Sequence, residues 1–273
     1  MKKIISIIII CGMTVATLTI LSLFEFENKE IVFSAVSIIY LLFGSIFLKI
    51  LTPNLKFKKF LKFNFITFKE FDILFWLSWV VISGGFLLNL AVVTICEKMN
   101  LPLPVNSLEG MSTENFWLSI FSITVIPSIF EELFFRGAVL SALEERGKFV
   151  AVVISSIMFF VVHGSYNYAL TTIFAGIIFS VLVYVTNSIY AAMLAHFLNN
   201  IMSYLLFIYS SKLSIVGMDV FVIYGLLLVF LISIYGSVSA ITKKYKRKLR
   251  DEVRIYNEGE LIWEKQKRQA LKK

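Results

Sequence analysis

The chain alternates between long apolar stretches and short polar connections. Eight stretches approach the ~20 residues that a helix needs to cross the hydrocarbon layer of a bilayer. The fourth stretch carries charged residues and the fifth is the shortest. The eight are Ile4–Leu23, Ile31–Leu51, Ile73–Cys96, Phe116–Leu140, Phe149–His163, Tyr168–Thr186, Ile189–Tyr209 and Val216–Ala240. This pattern predicts an all-α, polytopic membrane bundle of about eight transmembrane helices.

The composition favours the same class of protein. The 273 residues are 58% hydrophobic and 16% charged, and the mean hydropathy is +0.84. A soluble domain is about 45–50% apolar and about 25% charged, so this apolar excess cannot be buried in one aqueous core. An ordinary soluble protein and a disordered one are therefore excluded. Cys11 and Cys96 form no CxxC pair, so the chain offers neither a disulfide framework nor a cysteine metal site.

The distribution of charge predicts the topology. Lys2 and Lys3 precede the first stretch, the connection before the third stretch carries several lysines, and the last thirty-odd residues are strongly basic. Positive residues collect on the cytoplasmic side of a membrane, so we expect both termini in the cytoplasm. The basic tail is expected to meet anionic lipid, and no nucleic-acid partner is expected. The amino-terminal stretch lacks a clear cleavage site and is interpreted as a retained first span.

Ionisable residues inside apolar stretches need an explanation, because a charge at mid-bilayer costs about 2.5–3.5 kcal/mol or more. The fourth stretch contains Glu131, Glu132 and Arg136. On a helix, Glu132 and Arg136 are four residues apart and can form an ion pair. Glu131 points about 100° away and has Phe135 as its neighbour one turn on. Helix spacing therefore leaves Glu131 free for another task.

The two histidines of the chain also lie in apolar stretches. His163 ends the fifth stretch, and His196 shares one helix face with Asn200 in the seventh. A glutamate, two histidines and an asparagine on three helices suit either general-base hydrolysis or divalent-metal binding. Counted from the cytoplasmic helix starts, His163 lies about 20 Å deep and His196 about 10 Å deep. Such a site closes only if the fifth helix is tilted or begins below the interface.

Three ordered motifs carry a family resemblance: Glu131-Glu132 with Arg136, Phe159 with His163, and His196 with Asn200. HExxH, GxGD, GxSG and Walker A motifs are absent. The ordered trio, from about residue 125 to 204, resembles the CPBP (CAAX protease and bacteriocin-processing, or Abi) family of intramembrane proteases. That family includes the CAAX prenyl endopeptidase of eukaryotes.

The resemblance implies a role for each motif residue. Glu131 and His163 would activate a water molecule, and His196 and Asn200 would bind the developing oxyanion. Glu132, Arg136 and Phe159 would be supporting residues. A divalent metal such as zinc, if bound, would be held by Glu131, His163 and His196. A metal-free glutamate mechanism is equally compatible, so the cofactor stays open.

The implied function is that of an intramembrane endopeptidase that hydrolyses peptide or protein substrates at the cytoplasmic leaflet. Two alternatives stay open: a bacteriocin self-immunity or scaffolding protein of the same family, and a proton-coupled transporter. Residues 116–209 would form the catalytic core, preceded by transmembrane helices in 1–115 and followed by the last helix and basic tail in 210–273. The Ile/Phe/Lys/Asn-rich composition indicates a multi-pass plasma-membrane protein of a bacterium. The sequence defines neither the substrate nor the oligomeric state.

Overall fold

The structure is a computed structural model that describes residues 2–24, 29–102, 116–163, 169–213 and 220–270. All regular secondary structure in these ranges is helical, and the predicted all-α class is confirmed. A single turn at Phe57–Phe60 and a 3₁₀ turn at Phe68–Glu70 precede the third long helix. The eight long helices are α1 (Lys2–Ser22), α2 (Lys29–Ile50), α3 (Phe71–Lys98), α4 (116–143), α5 (Lys148–His163), α6 (Ala169–Thr186), α7 (Ile189–Leu213) and α8 (Val220–Ala270).

Most of these helices can cross a membrane. Within the described ranges, six helical stretches are long and apolar enough to do so: Lys2–Leu21, Phe68–Lys98, Phe116–Arg146, Ala169–Thr186, Ile189–Ile208 and Phe221–Tyr256. Two further apolar helical stretches, Ser34–Ile50 and Lys148–His163, are shorter. The helical membrane bundle is thus confirmed, whereas the number of eight crossings stays a prediction.

Ion pairs at one end of the bundle define an up-and-down arrangement. Lys3, at the start of α1, pairs with Glu145 directly after α4 at 3.0 Å. Lys244, in α8, pairs with Glu70 just before α3 and also donates to the carbonyl of Val185 near the end of α6. Lys62, in the segment before α3, pairs with Glu144 directly after α4 at 3.1 Å. The start of the chain and residue 244 therefore lie at the same end of the bundle. That this end faces the cytoplasm stays a prediction.

Two apolar clusters hold the helices together. The first joins α1, α2, α4 and α5 around the fully buried Phe134 and Phe135. Gly44 of α2 makes this approach possible, because a Cβ atom there would lie 2.6 Å from the Phe134 ring. The second cluster joins α3, α6, α7 and α8, and small residues let the helices approach closely. On α7 these small residues are Ala191, Ala192 and Ala195.

Helix α8 extends far beyond the predicted last span. That span ends at Ala240, whereas α8 continues to Ala270 and is 51 residues long. The basic segment after Ala240 is therefore helical. Exposed pairs at i,i+4 spacing, Lys248–Glu252 and Arg254–Glu258, lie along this part of the helix and can add slightly to its stability. The division into three parts stays a prediction.

Candidate active site

Helix α4 is irregular on both sides of the two glutamates. Two π-helical segments, Phe121–Val125 and Leu133–Val139, flank a regular α-helical segment. Pro127 has no N–H to donate to the carbonyl of Ile123 four residues earlier, and that carbonyl accepts a hydrogen bond from Nδ2 of Asn200 at 3.2 Å. Such π segments are frequent at functional sites. Pro127 is a sequence signal for this irregularity, and it was not among the predicted site residues.

Glu132 joins two helices at the centre of the site. Its side chain is fully buried, and its Oε1 atom accepts hydrogen bonds from Nη1 of Arg136 at 3.0 Å and from Nδ1 of His196 at 2.9 Å. The Arg136 contact is the ion pair that helix spacing predicts. The His196 contact crosses from α4 to α7 and was not predicted. Because a carboxylate only accepts hydrogen bonds, Nδ1 of His196 carries a hydrogen.

Aromatic rings surround the buried guanidinium of Arg136. Its Cζ atom lies 4.1 Å from the Phe159 ring centroid and 5.3 Å from that of Phe179. Its Nε and Nη2 atoms have no hydrogen-bond partner among the described protein atoms. A desolvated cation over an aromatic face gains about 2 kcal/mol. These rings therefore stabilise an arginine that Glu132 alone satisfies only in part.

Phe159 brings the two histidines to one place. Its ring centroid lies 4.5 Å from that of His163 and 5.8 Å from that of His196. Phe179 stacks on the other side of the site against His196, with centroids 5.1 Å apart. Both histidines therefore pack on one phenylalanine ring, which is closer than residue counts from the helix starts suggest. Phe179 was not among the predicted residues.

Glu131 faces His163 without a hydrogen bond between them. The distance from Oε2 of Glu131 to Nε2 of His163 is 3.9 Å, which exceeds hydrogen-bond length. Nδ1 of His163 lies 2.8 Å from the carbonyl oxygen of Phe159. Since a carbonyl only accepts, Nδ1 carries the hydrogen, and the lone pair of a neutral ring is on Nε2. The His163 side chain is 36% exposed and that of Glu131 is 14% exposed.

These contacts link six of the seven predicted site residues into one cluster across α4, α5 and α7. Asn200 lies one turn beyond His196 and contacts Ile123 and Asn199. The six linked residues are Glu131, Glu132, Arg136, Phe159, His163 and His196. The cluster holds an ion-paired carboxylate, Glu132, and a second carboxylate without a fixed counter-charge, Glu131. Two carboxylates with such different surroundings can serve different chemical roles.

The cluster does not fit a three-ligand metal site. Across the residues that the structure describes, no three His, Cys, Asp or Glu side chains are grouped so that they could hold a metal ion. The carboxylate beside His196 is Glu132, which is held by Arg136, and not Glu131. A catalytic zinc site needs three converging ligands and an open position. The predicted set Glu131, His163 and His196 is therefore not assembled in this arrangement.

Fold and site together define a polytopic helical membrane protein in which glutamate and histidine side chains of α4, α5 and α7 form one cluster. Residues 113–202 match the family model described as type II CAAX prenyl endopeptidase, Rce1-like. This match confirms the resemblance carried by the three motifs and contains all seven motif residues, although it covers less than half of the chain. No curated protein and no solved structure matches the chain. The family match supports an intramembrane protease of the CAAX type in general.

Proposed function

We propose that the chain is an intramembrane endopeptidase that hydrolyses peptide or protein substrates through a water molecule activated by Glu131 and His163. The observation that carries this proposal is the 3.9 Å gap between Oε2 of Glu131 and Nε2 of His163. A single water oxygen at about 2.8 Å from both atoms fits this gap. A carboxylate without a fixed counter-charge is available as the general base.

The chemical step uses Glu131 and His163 together on one water molecule. Glu131 takes a proton from the water while the water oxygen bonds to the carbonyl carbon of the substrate, and Nε2 of His163 accepts a hydrogen bond from the second O–H. The carbonyl π electrons move to oxygen and form the oxyanion. When the tetrahedral intermediate collapses, the C–N bond breaks and Glu131 delivers its proton to the leaving nitrogen. The products are a new carboxyl terminus and a new amino terminus.

His196 and Asn200 supply the donors for the oxyanion in this proposal. Nδ1–H of His196 is directed at Glu132, so Nε2 can donate only when the ring is an imidazolium. Nδ2 of Asn200 carries two hydrogens, and one of them is directed at Ile123. The second is available to the oxyanion, and donors of this kind are among the largest contributions to acyl-transfer catalysis.

The location and partners belong to the same proposal. A multi-pass membrane protein is supported by the apolar helices and the family match. We place it in the plasma membrane of a bacterium, with the active site reached by peptides or protein tails from the cytoplasmic leaflet. The basic part of α8 after Ala240, which carries the exposed Lys243 and Lys246, would contact anionic lipid rather than nucleic acid.

The test is cleavage of a peptide library by the purified full chain in proteoliposomes. Glu131→Gln should lower kcat/KM by about 10²–10⁴-fold. Glu258→Gln, in the exposed part of α8, is the matched control and should cleave like wild type. Cleavage that persists in excess chelator would support the metal-free mechanism. A Glu131→Gln protein that keeps its full biological effect in cells would instead favour the immunity or scaffolding alternative.

A further inference from the structure

A cavity of about 120 Å³ lies between α2 and α4. Glu131 forms part of its wall, together with Ile126, Pro127 and Phe130 of the same helix. The opposite wall comes from α2, which lies outside the segment that matches the family model. The α2 residues are Ser34, Ser37, Ile38 and Leu41. Their i, i+3, i+4, i+7 spacing means that one continuous face of α2 is turned to the cavity.

The position of the cavity relates it to the chemistry at Glu131. The carboxylate that would take the proton from water also lines this cavity, and its Oε2 atom is buried without a hydrogen-bond partner among the described protein atoms. A peptide bond attacked at this carboxylate has side chains on both of its flanks. His163 does not line the cavity, so the cavity is open to one of these side chains while the gap between Glu131 and His163 is left to the water.

The size and lining of the cavity indicate what it accepts. A dry cavity of about 150 Å³ lined by aliphatic and aromatic residues holds a benzene molecule, so a cavity of about 120 Å³ fits a side chain up to about the size of leucine. The ring of tryptophan is too large. The apolar wall is formed by Ile38, Leu41 and Phe130, and the serine hydroxyls of α2 add polar positions that can bind substrate backbone.

We propose that this cavity is a substrate subsite that selects by size the side chain on one flank of the scissile bond, and that Ser37 and Ile38 of α2 set its limit. The proposal rests on the proposed function. It assigns a specificity role to a helix on which none of the three motifs lies. The other occupants, water alone or a lipid chain, are outcomes of the test.

The experiment compares four forms of the full chain in proteoliposomes: wild type, Ser37→Leu, Ile38→Ala and Ala35→Leu. Ser37→Leu fills the cavity and Ile38→Ala enlarges it. Ala35→Leu adds similar bulk at an exposed position of the same helix and is the matched control. Each form is assayed with one cleaved peptide in which each residue flanking the scissile bond is in turn Ala, Leu, Phe or Trp.

At one flanking position, Ser37→Leu should lower kcat/KM for the Leu peptide about tenfold or more and leave the Ala peptide unchanged. Ile38→Ala should raise kcat/KM for the Phe peptide, and Ala35→Leu should change nothing. If kcat/KM falls equally for all peptides, the cavity holds water or supports Glu131. If the preference among flanking residues is unchanged, the cavity is filled by a lipid chain. Either result would contradict the proposal that the cavity is a substrate subsite. Should Ser37→Leu fail to fold, Ile38→Ala and the milder Ser34→Val decide by the same criterion.

The two proposals fail in different ways. If wild type cleaves no peptide, or if Glu131→Gln cleaves as well as wild type, the proposed function is wrong. If wild type cleaves, Glu131→Gln does not, and the α2 variants leave the preferences unchanged, only the subsite is wrong.

Discussion

Nδ1 of His196 lies 2.9 Å from the carboxylate of Glu132, although 64 residues separate the two along the chain. Glu132 therefore does more than pair with Arg136 on its own helix, because it also connects α4 to α7 at the centre of the site. A buried carboxylate that accepts from one imidazole nitrogen fixes the tautomer and the orientation of the ring, as the aspartate does in a Ser-His-Asp triad. Glu132 is therefore a positioning residue for His196 as well as a counter-ion.

Glu132→Gln should lower both stability and turnover. The amide removes the negative charge, which leaves the fully buried Arg136 without its counter-ion; breaking a buried pair in this way costs about 3–5 kcal/mol. The hydrogen bond from Nδ1–H of His196 loses its charged acceptor at the same time. Membrane yield, melting temperature and kcat per folded molecule should all fall. Glu252→Gln, in an exposed pair with Lys248, is the control. A Glu132→Gln protein of normal stability and turnover would contradict this assignment.

Arg136→Gln should resemble Glu132→Gln in stability, because it leaves the buried carboxylate of Glu132 without its cationic partner. The double variant should be milder than the sum of the two single variants, since each partner is costly only when the other stays charged. Melting curves of the four forms give the coupling free energy. Additive losses would mean that the 3.0 Å contact between the two side chains carries no pairing energy.

Local spacing predicted part of this site. The Glu132–Arg136 pair follows from the helical repeat, and so does the freedom of Glu131 from a partner on its own helix. The His196–Glu132 contact, the aromatic rings around Arg136 and the cavity beside Glu131 depend on how α2, α4, α5 and α7 pack. Residue spacing within one helix carries no information about such contacts. The π segments have a local cause in part, because Pro127 removes one hydrogen-bond donor.

The membrane helices were predictable from the sequence, whereas the charged part of α8 was not. Apolar length alone indicates membrane helices, so the predicted start of α7 at Ile189 and the end of α5 at His163 agree with the structure. The continuation of α8 to Ala270 was not predicted, because apolarity ends at Ala240 whereas the helix does not. Charged residues are good helix formers outside the membrane, and a search for apolar stretches does not detect them.

Gly236→Ala should destabilise the contact between α3 and α8. A Cβ atom at this position would overlap the indole of Trp76, and overpacking of this kind costs about 1–3 kcal/mol. Gly225→Ala on the same helix is the matched control, since nothing lies within 4 Å of its added Cβ. That variant should be neutral or up to about 1 kcal/mol more stable, because alanine is the better helix former. Melting curves in one detergent compare the two, and equal melting temperatures would contradict the close approach.

The environment of Lys62 should make the free energy of unfolding increase at alkaline pH. Its Nζ atom lies 3.1 Å from Oε1 of Glu144 and donates to Oγ of Ser141. Burial nevertheless lowers the pKa of Lys62 below its ordinary value of 10.5. Between the lowered folded pKa and the ordinary value, the unfolded chain binds the proton more strongly, so the free energy of unfolding increases with pH in that window. The melting temperature of wild type, relative to that of Lys62→Met, should therefore rise between pH ~7 and pH ~10. A constant difference would contradict the lowered pKa.

Glu131 and His163 would act on one water molecule, so their substitutions should not be additive. Each single variant, Glu131→Gln and His163→Gln, should lower kcat/KM by about 10²–10⁴-fold. The double variant should be within about tenfold of the worse single one, because residues that act as a unit are not additive. Protein yield should hardly change for Glu131→Gln, since its 3.9 Å distance to His163 is no hydrogen bond. One fluorogenic peptide assayed at limiting substrate, with melting curves to count folded molecules, gives all four rates. Losses that multiply would show that the two residues act in separate steps. A Glu131→Gln protein that loses yield but keeps its turnover per folded molecule would reverse the roles of the two glutamates.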